Sequence, residues 1–190
     1  MSIFALAFDR SPMKKIFYIL SCLLLALAAM GCQSEETKAE KAHRKALANK
    51  EEYIRLLRST GRDGVEEVIR QLEATDFFTM GCTNHHTQEG GMVQHSLEVY
   101  RIMKSVAWFR SSESIIVTSL FHDMGKVDRE GWHTWRSVKH LVGWGFDLKP
   151  DEYYAIFYHH KVALRYFRSP LRRALTFGDV LSTGWWKLWH

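Results

Sequence analysis

From residue 53 onward, apolar residues recur at alternating spacings of three and four, the period of an α-helix with one buried face. The spacing predicts short amphipathic helices over Tyr53–Leu57 and Val65–Leu72, with Gly61–Gly64 as the break between them. A longer helix is expected over Met92–Phe109, where His95, Val99, Ile102, Val106 and Phe109 share one face. Ser111 and Ser112 offer caps for a helix over Glu113–Met124, and Gly125 offers a stop. Further helices are expected over His133–Trp144, from Pro150, and over Leu171–Leu181. Proline suits the first position of a helix, and Asp151 and Glu152 suit its positive end. Phe77–Gly91 reads as a loop. Strand-type alternation is missing, so the fold class expected is all-α, a compact multi-helix bundle.

The N-terminal pattern is different. Lys14 and Lys15 precede an apolar run from Ile16 to Met30, which ends in Ala29-Met30-Gly31-Cys32 before polar Gln33-Ser34-Glu35-Glu36. A positive start, a short apolar run and a small residue at the break are the parts of a secretory signal. The run is short for a bilayer span of about 20 residues. A cysteine directly after the small residue resembles a bacterial lipoprotein signal, which implies lipidation of Cys32 as the mature N-terminus. Ala29 stands where that pattern usually has leucine, and an uncleaved apolar anchor is the alternative. Met13-Lys14-Lys15 is also a more typical start than Met1. Glu35–Glu52 mixes both signs of charge at helical spacing. The expected organisation is therefore a signal or anchor over 1–32, a charged helical stalk over 33–60 and a folded domain over 61–190.

Composition narrows the classes. At 46% hydrophobic and 13% aromatic residues, the bulk of the chain is not intrinsically disordered. The formal charge of +5 suits an acidic ligand such as a phosphate ester. It does not suit duplex DNA, because no basic stripe runs along one helix. Cys22, Cys32 and Cys82 form no CxxC or CxxH pair, which argues against a structural zinc site. Only Cys82 falls in the folded body, so no disulfide is expected within it.

The candidate chemistry sits on the helices. Ser114–Asp123 is apolar nearly all round and ends in an imidazole and a carboxylate, His122 and Asp123. A carboxylate leaving water without partners costs several kcal/mol, which a metal ion offsets. Neighbours on a helix point about 100° apart, so other helices must bring further ligands. His95 lies on an apolar face, where a lone histidine is more often a core residue than a ligand. Tyr153, Phe157, His160, Leu164 and Phe167 form another four-three stripe, with His159 beside it. Asp179 lies one turn beyond Leu175 and two beyond Leu171, so it too can face inward. His133 stands near a helix start.

The order His95, then His122-Asp123, then Asp179 resembles the HD superfamily of metal-dependent phosphohydrolases. The context resembles it as well: Glu89–Val99 around the first histidine, Leu120–Lys126 with its Gly-Lys, Tyr158-His159-His160-Lys161, and Phe177–Ser182 around the last aspartate. The likeness covers roughly residues 77–182 and implies an HD-domain-like bundle in which His95, His122, Asp123 and Asp179 hold one metal. It further implies room for a second, with His133 and His159 as added ligands, His160 and His140 as competitors for those places, and Asp123 as a bridge. The donors are nitrogen and oxygen, which suits Mn²⁺, Fe²⁺, Mg²⁺, Co²⁺ or Zn²⁺ without choosing among them.

The function expected is metal-dependent hydrolysis of a phosphate ester, and the resemblance points to a nucleotide. Asp123 and Lys126 would serve catalysis, with Lys126, Arg136 and His160 on the substrate; Lys161 and Arg165 could add charge. His85 and His86 could line the substrate mouth or stand in a solvated loop. The alternatives are a di-iron oxygenase on the same fold, told apart by iron content and an oxygen-dependent product, and a non-catalytic membrane-tethered module that binds a nucleotide or a partner. The expected location is the membrane, as an exported lipoprotein, with the cytoplasm as the alternative.

Overall fold

The computed structural model describes residues 12–82, 85–129, 131–161 and 169–184; for 12–18 and 23–37 it describes the backbone. The described residues are helical and contain no strand: α1 (Pro12–Ser59), α2 (Val65–Glu73), α3 (Gly91–Val106), α4 (Ser112–Phe121), a 3₁₀ turn (Met124–Asp128), α5 (His133–Gly143), α6 (Pro150–Tyr158) and α7 (Pro170–Ser182). The chain divides into a unit ending at Lys41 and one beginning at Ala42. Among the described residues no helix is long and apolar enough to cross a membrane. The side chain of Cys32 and the segment before Pro12 lie outside the described residues, as do Leu164, Arg165 and Phe167.

In the second unit the core takes in Tyr53, Leu56 and Leu57 from the end of α1, which continues through the predicted Tyr53–Leu57 helix. Residues 38–45 of the same helix are exposed. Around the end of α1 pack Val68 and Leu72 of α2, Leu97 of α3, and Leu120 and Phe121 of α4. A second cluster, with Val99, Met103, Ile115, Leu171 and Leu175, joins α3, α4 and α7.

α4 is the central helix. Ile115 to Phe121 are all buried, as its continuous apolar pattern requires, and Ser111 caps it by accepting a hydrogen bond from the Ser114 amide at 3.3 Å. Its buried hydroxyls turn back on the helix: Thr118 Oγ1 donates to the Ser114 carbonyl at 2.6 Å and Ser119 Oγ to the Ile115 carbonyl at 2.7 Å. The helix stops at Phe121, short of the predicted Met124, and a partner from another helix accounts for it. Ser137 of α5 accepts from the Gly125 amide at 2.8 Å and donates to the His122 carbonyl at 3.1 Å, replacing the bonds of a further helical turn. Gly125 is therefore a point of close approach. A Cβ there would lie 2.2 Å from the His133 carbonyl oxygen and 2.6 Å from the Ser137 amide nitrogen.

α6 differs from expectation in its rotation. Glu152, Ala155 and Ile156 face the core and lead to His159, whereas Tyr153 is 40% exposed and His160 is exposed. Two adjacent stripes of this helix are apolar, and a charged residue decides between them. Arg62 donates to both oxygens of Glu152, at 2.7 and 3.2 Å, while the Lys149 amide and Ser114 Oγ donate to the same carboxylate at 3.0 and 2.6 Å. The Arg62 side chain is 5% exposed and that of Glu152 is fully buried. α3 also departs from its predicted stripe: His95 and Val99 are buried, but the helix ends at Val106, and Val106 and Phe109 are exposed. In α7 the inward line is Leu171, Leu175, Asp179 and Ser182, with Ser169 as the cap and Pro170 at the first position.

Candidate metal centre

Five of the helices deliver a histidine or an aspartate to one region. α3 brings His95, the end of α4 brings His122 and Asp123, α7 brings Asp179, the start of α5 brings His133, and the end of α6 brings His159 and His160. The ligand atoms form two groups that share Asp123: His95, His122, Asp123 and Asp179, all buried, and Asp123, His133, His159 and His160. These groups could hold metal ions.

In the first group His95 Nε2 lies 3.1 Å from His122 Nε2, 3.4 Å from Asp123 Oδ2 and 3.3 Å from Asp179 Oδ1. His122 Nε2 lies 3.5 Å from Asp123 Oδ2 and 3.7 Å from Asp179 Oδ1. A tetrahedron with edges of about 3.4 Å has its corners about 2.1 Å from its centre, the length of a metal–nitrogen or metal–oxygen bond. The ring orientations agree. His122 Nδ1 faces the Ser119 carbonyl at 2.9 Å, and a carbonyl only accepts, so Nδ1 carries the proton and Nε2 of the neutral ring is bare.

The second group is built on the other oxygen of the same carboxylate. Asp123 Oδ1 has His133 Nε2 at 3.2 Å and His159 Nε2 at 3.8 Å, and His133 Nε2 lies 3.1 Å from His160 Nε2. His159 Nδ1 donates to the Ile156 carbonyl at 2.7 Å, which again leaves Nε2 bare. Asp123 Oδ1 and His159 Nε2 are both buried without a hydrogen-bond partner. Leaving one such atom unsatisfied costs about 1–3 kcal/mol, and a shared cation relieves both. This pair of facing orphans is the observation that makes the residues fit a metal.

No protein-family model, curated protein or solved structure matches the chain.

Electrostatics follow from the burial. Burial by itself would raise the pKa of Asp123, but His122, His133, His95 and Lys126 outweigh it and hold the carboxyl well below the ordinary range. The same opposition, with His122 and His95 as the neighbours that favour its charge, keeps Asp179 low. Burial would also strip the proton from His95, yet Asp123 and Asp179 outweigh it and push that imidazole up to about 9. His159 goes the other way: burial first, then His122 and His160, push it down to about 3. Without metal, two carboxylates are thus balanced by protonated His95 and by Lys126, whose Nζ donates to Asp123 Oδ2.

A metal must displace the His95 proton, so apparent affinity is expected to fall about tenfold for each pH unit below about 9. Stability of the metal-free chain should run oppositely. A pKa raised on folding contributes fully below the unfolded value near 6.5 and is lost as pH rises through about 9. The groups facing His95 are His85 and His86 from the preceding loop, Glu98 of α3, His122 and Asp123 at the end of α4, and Asp179 and Ser182 of α7. Chelator-treated protein should therefore melt lower at pH 9 than at pH 6.5, with the gap between treated and metal-loaded protein widening over that range.

His160, expected on the substrate or as a competitor for the second metal, belongs to the second group of ligand atoms. His140, a competitor for that group, binds Asp128 Oδ2 at 2.8 Å. Arg136, also expected on the substrate, donates to Asp128 Oδ2 at 3.0 Å and to the Gly131 carbonyl at 3.2 Å, bracing the turn before α5, and lines a cavity of about 390 Å³ with Trp132, Trp135 and Phe157. The Lys161 carbonyl accepts from buried Arg172. Lys126 does reach an opening: with His133, Arg129, Asp76 and Met80 it lines a cavity of about 640 Å³. His85 and His86 line another of about 600 Å³, and burial, then His95 and His86, hold His85 down at about 4. Sequence reasoning missed Ser137 and Ser182. The latter follows Asp179 by three residues, which was a readable signal for a shared face.

Gly125→Ala is expected to push the start of α5 away from the His-Asp turn. The two nearest atoms in the way are backbone, so the cost should be about 1–3 kcal/mol, read as a lower melting temperature. His133 moves with α5, and metal analysis should show weaker uptake at the second group than at the first.

Proposed function

We propose that this protein is a metal-dependent phosphohydrolase acting on a phosphate ester, with a nucleotide or another phosphomonoester or phosphodiester as substrate. The observation that carries the reading is Asp123, a buried carboxylate whose two oxygens face two separate sets of histidines. The ordered set His95, His122-Asp123, Asp179, similar to that of the HD superfamily, supports it.

His95, His122, Asp123 and Asp179 would hold one divalent ion, and Asp123, His133, His159 and His160 a second. Such ions lower the pKa of a bound water and draw charge from a phosphoryl oxygen. The donors are nitrogen and oxygen; Cys82 stands outside both groups with its thiol pushed by burial up to about 12. The chain's own contribution is placement. The carbonyls of Ser119 and Ile156 hold His122 and His159 in the ligating tautomer. Lys126 sits between Asp123 and the 640 Å³ cavity, where its ammonium can meet a phosphoryl oxygen as negative charge builds on it. The cavity is large enough for a small phosphorylated molecule.

The same proposal places the enzyme at a membrane through a lipidated Cys32; labelling of that cysteine and cell fractionation test the anchor separately. For the activity, purified protein loaded in turn with Mn²⁺, Fe²⁺, Mg²⁺, Co²⁺ and Zn²⁺ is assayed for phosphate release against a broad phosphoester panel. Release with at least one metal, lost on chelation, is expected. Silence across the panel with metal bound would overturn the assignment, and oxygen consumption by the iron form would point to oxygenase chemistry instead.

A further inference from the structure

His95 differs from the other two buried histidines in how its ring is held. Nδ1 of His122 and of His159 each meets a carbonyl three residues earlier in the chain, at Ser119 and Ile156. Those residues stand at the ends of α4 and α6. His95 stands inside α3, where backbone carbonyls are taken up by the helix, so partners for its Nδ1 must come from elsewhere. Two are in place: Ser182 Oγ of α7 at 3.0 Å and His85 Nε2 at 3.3 Å.

The direction of these bonds can be assigned. Ser182 Oγ donates its proton to the Asp179 carbonyl at 2.8 Å, so it meets His95 as an acceptor. His85 Nε2 meets the same Nδ1–H and must accept as well. We propose that His85 is a positioning residue that, together with Ser182, accepts the Nδ1 proton of His95 and so keeps His95 Nε2 bare and directed at the first group of metal ligands. The inference rests on the metal reading of that group.

His86, the residue after His85, is held against α3. A Cβ on Gly91 would lie 1.6 Å from the His86 carbonyl oxygen, so glycine at the first position of α3 lets the loop close on the helix. The His86 carbonyl accepts from the Cys82 amide at 3.0 Å, and the His86 ring clips to Glu98 of α3 at 2.9 Å. His85, His86 and His95 also bring ligand atoms within reach of one ion. A cation there would need His95 Nδ1 while Nε2 serves the first group. A neutral imidazole has a single bare nitrogen, and Ser182 already holds the Nδ1 proton. Positioning is therefore the role these atoms can fill alongside the first metal.

The test uses the full-length chain and zinc as the probe. Metal-ligand histidines that lose an outer partner bind metal about 10–100-fold more weakly. His85→Ala and Ser182→Ala are each expected to weaken the first-group zinc by that factor, measured by competition with a chelator. His85→Gln, whose amide oxygen can accept, is expected to restore binding. Long-range ¹H–¹⁵N spectra of histidine-labelled, zinc-loaded protein should show His95 protonated at Nδ1 in the wild type. In the His85→Ala/Ser182→Ala double variant that single tautomer should be lost, with the His122 and His159 signals unchanged as the control for folding. Wild-type zinc affinity in His85→Ala overturns the proposal. Loss of one whole zinc equivalent in His85→Ala, with the rest bound as tightly as before, overturns it in favour of a third cation site. A wild-type chain that takes up no zinc overturns the metal reading itself.

Discussion

Replacing Asp123 by alanine is expected to empty both groups of ligands at once. Its Oδ2 faces His95 and His122 at 3.4 and 3.5 Å, and its Oδ1 faces His133 and His159 at 3.2 and 3.8 Å. Every other ligand serves one of these two groups and not the other, so His159→Ala should spare the first ion and Asp179→Ala the second. Metal-derived stabilisation of a transition state is worth several kcal/mol, so phosphate release should fall by about 10³-fold or more. The variant should still fold, because the surrounding core of Leu97, Leu120 and Phe121 is untouched. Elemental analysis after metal loading and a circular dichroism melt check the two halves of the expectation. Full metal content in Asp123→Ala would remove the bridging role. Unchanged phosphate release from a metal-free variant would remove the hydrolytic one.

The largest effect on stability is expected from Glu152→Ala, outside both groups of ligands. Arg62, Glu152, Ser114 and the Lys149 amide form one buried network that ties the turn after α1 to α4 and to the start of α6. Removing the carboxylate leaves the Arg62 guanidinium desolvated, with Glu113 at 3.4 Å, the Asp147 carbonyl at 2.8 Å and the Asp147 carboxylate at 3.9 Å. Breaking a buried ion pair from one side costs about 3–5 kcal/mol, which lowers the melting temperature of a domain of this size by about 10 °C. The double replacement Arg62→Met/Glu152→Leu should recover most of the loss, since apolar pairs of similar volume replace such bridges at little cost. Metal content below the melting temperature should be unaffected in either variant. A melting temperature within a degree of wild type for Glu152→Ala would show that the network carries no net stability.

How far the site could be read from the chain varies residue by residue. Asp179 was legible because Leu171 and Leu175 precede it by whole turns and set its direction. His95 was legible for the same reason through Val99. Periodicity put His160 on the inward stripe with His159 beside it, whereas the structure buries His159, because α6 carries two adjacent apolar stripes and spacing is silent on which one faces the core. The answer lay in Glu152, a charge that hydropathy would place outside and that Arg62 holds inside. The pairing of Arg136 with Asp128 was not legible, because Asp128 sits in a 3₁₀ turn whose course local pattern does not specify. The stop of α4 was attributed to Gly125 as a helix terminator, whereas the structure uses that glycine to admit the backbone of α5.

By itself the sequence determined the all-helical class, the helix order and the set of histidines and aspartates from which a metal site can be made. Those follow from spacing and residue chemistry, which act over a few residues and are visible in a string of letters. Only the tertiary structure decided that the ligands fall into two groups, that Asp123 is shared between them, and that His160 joins the second while His140 does not. It also decided which nitrogen of each ring is bare. These depend on distances of a few ångströms between residues as far apart as His95 and Ser182, and helix rotation and crossing set such distances through the packing of the whole core.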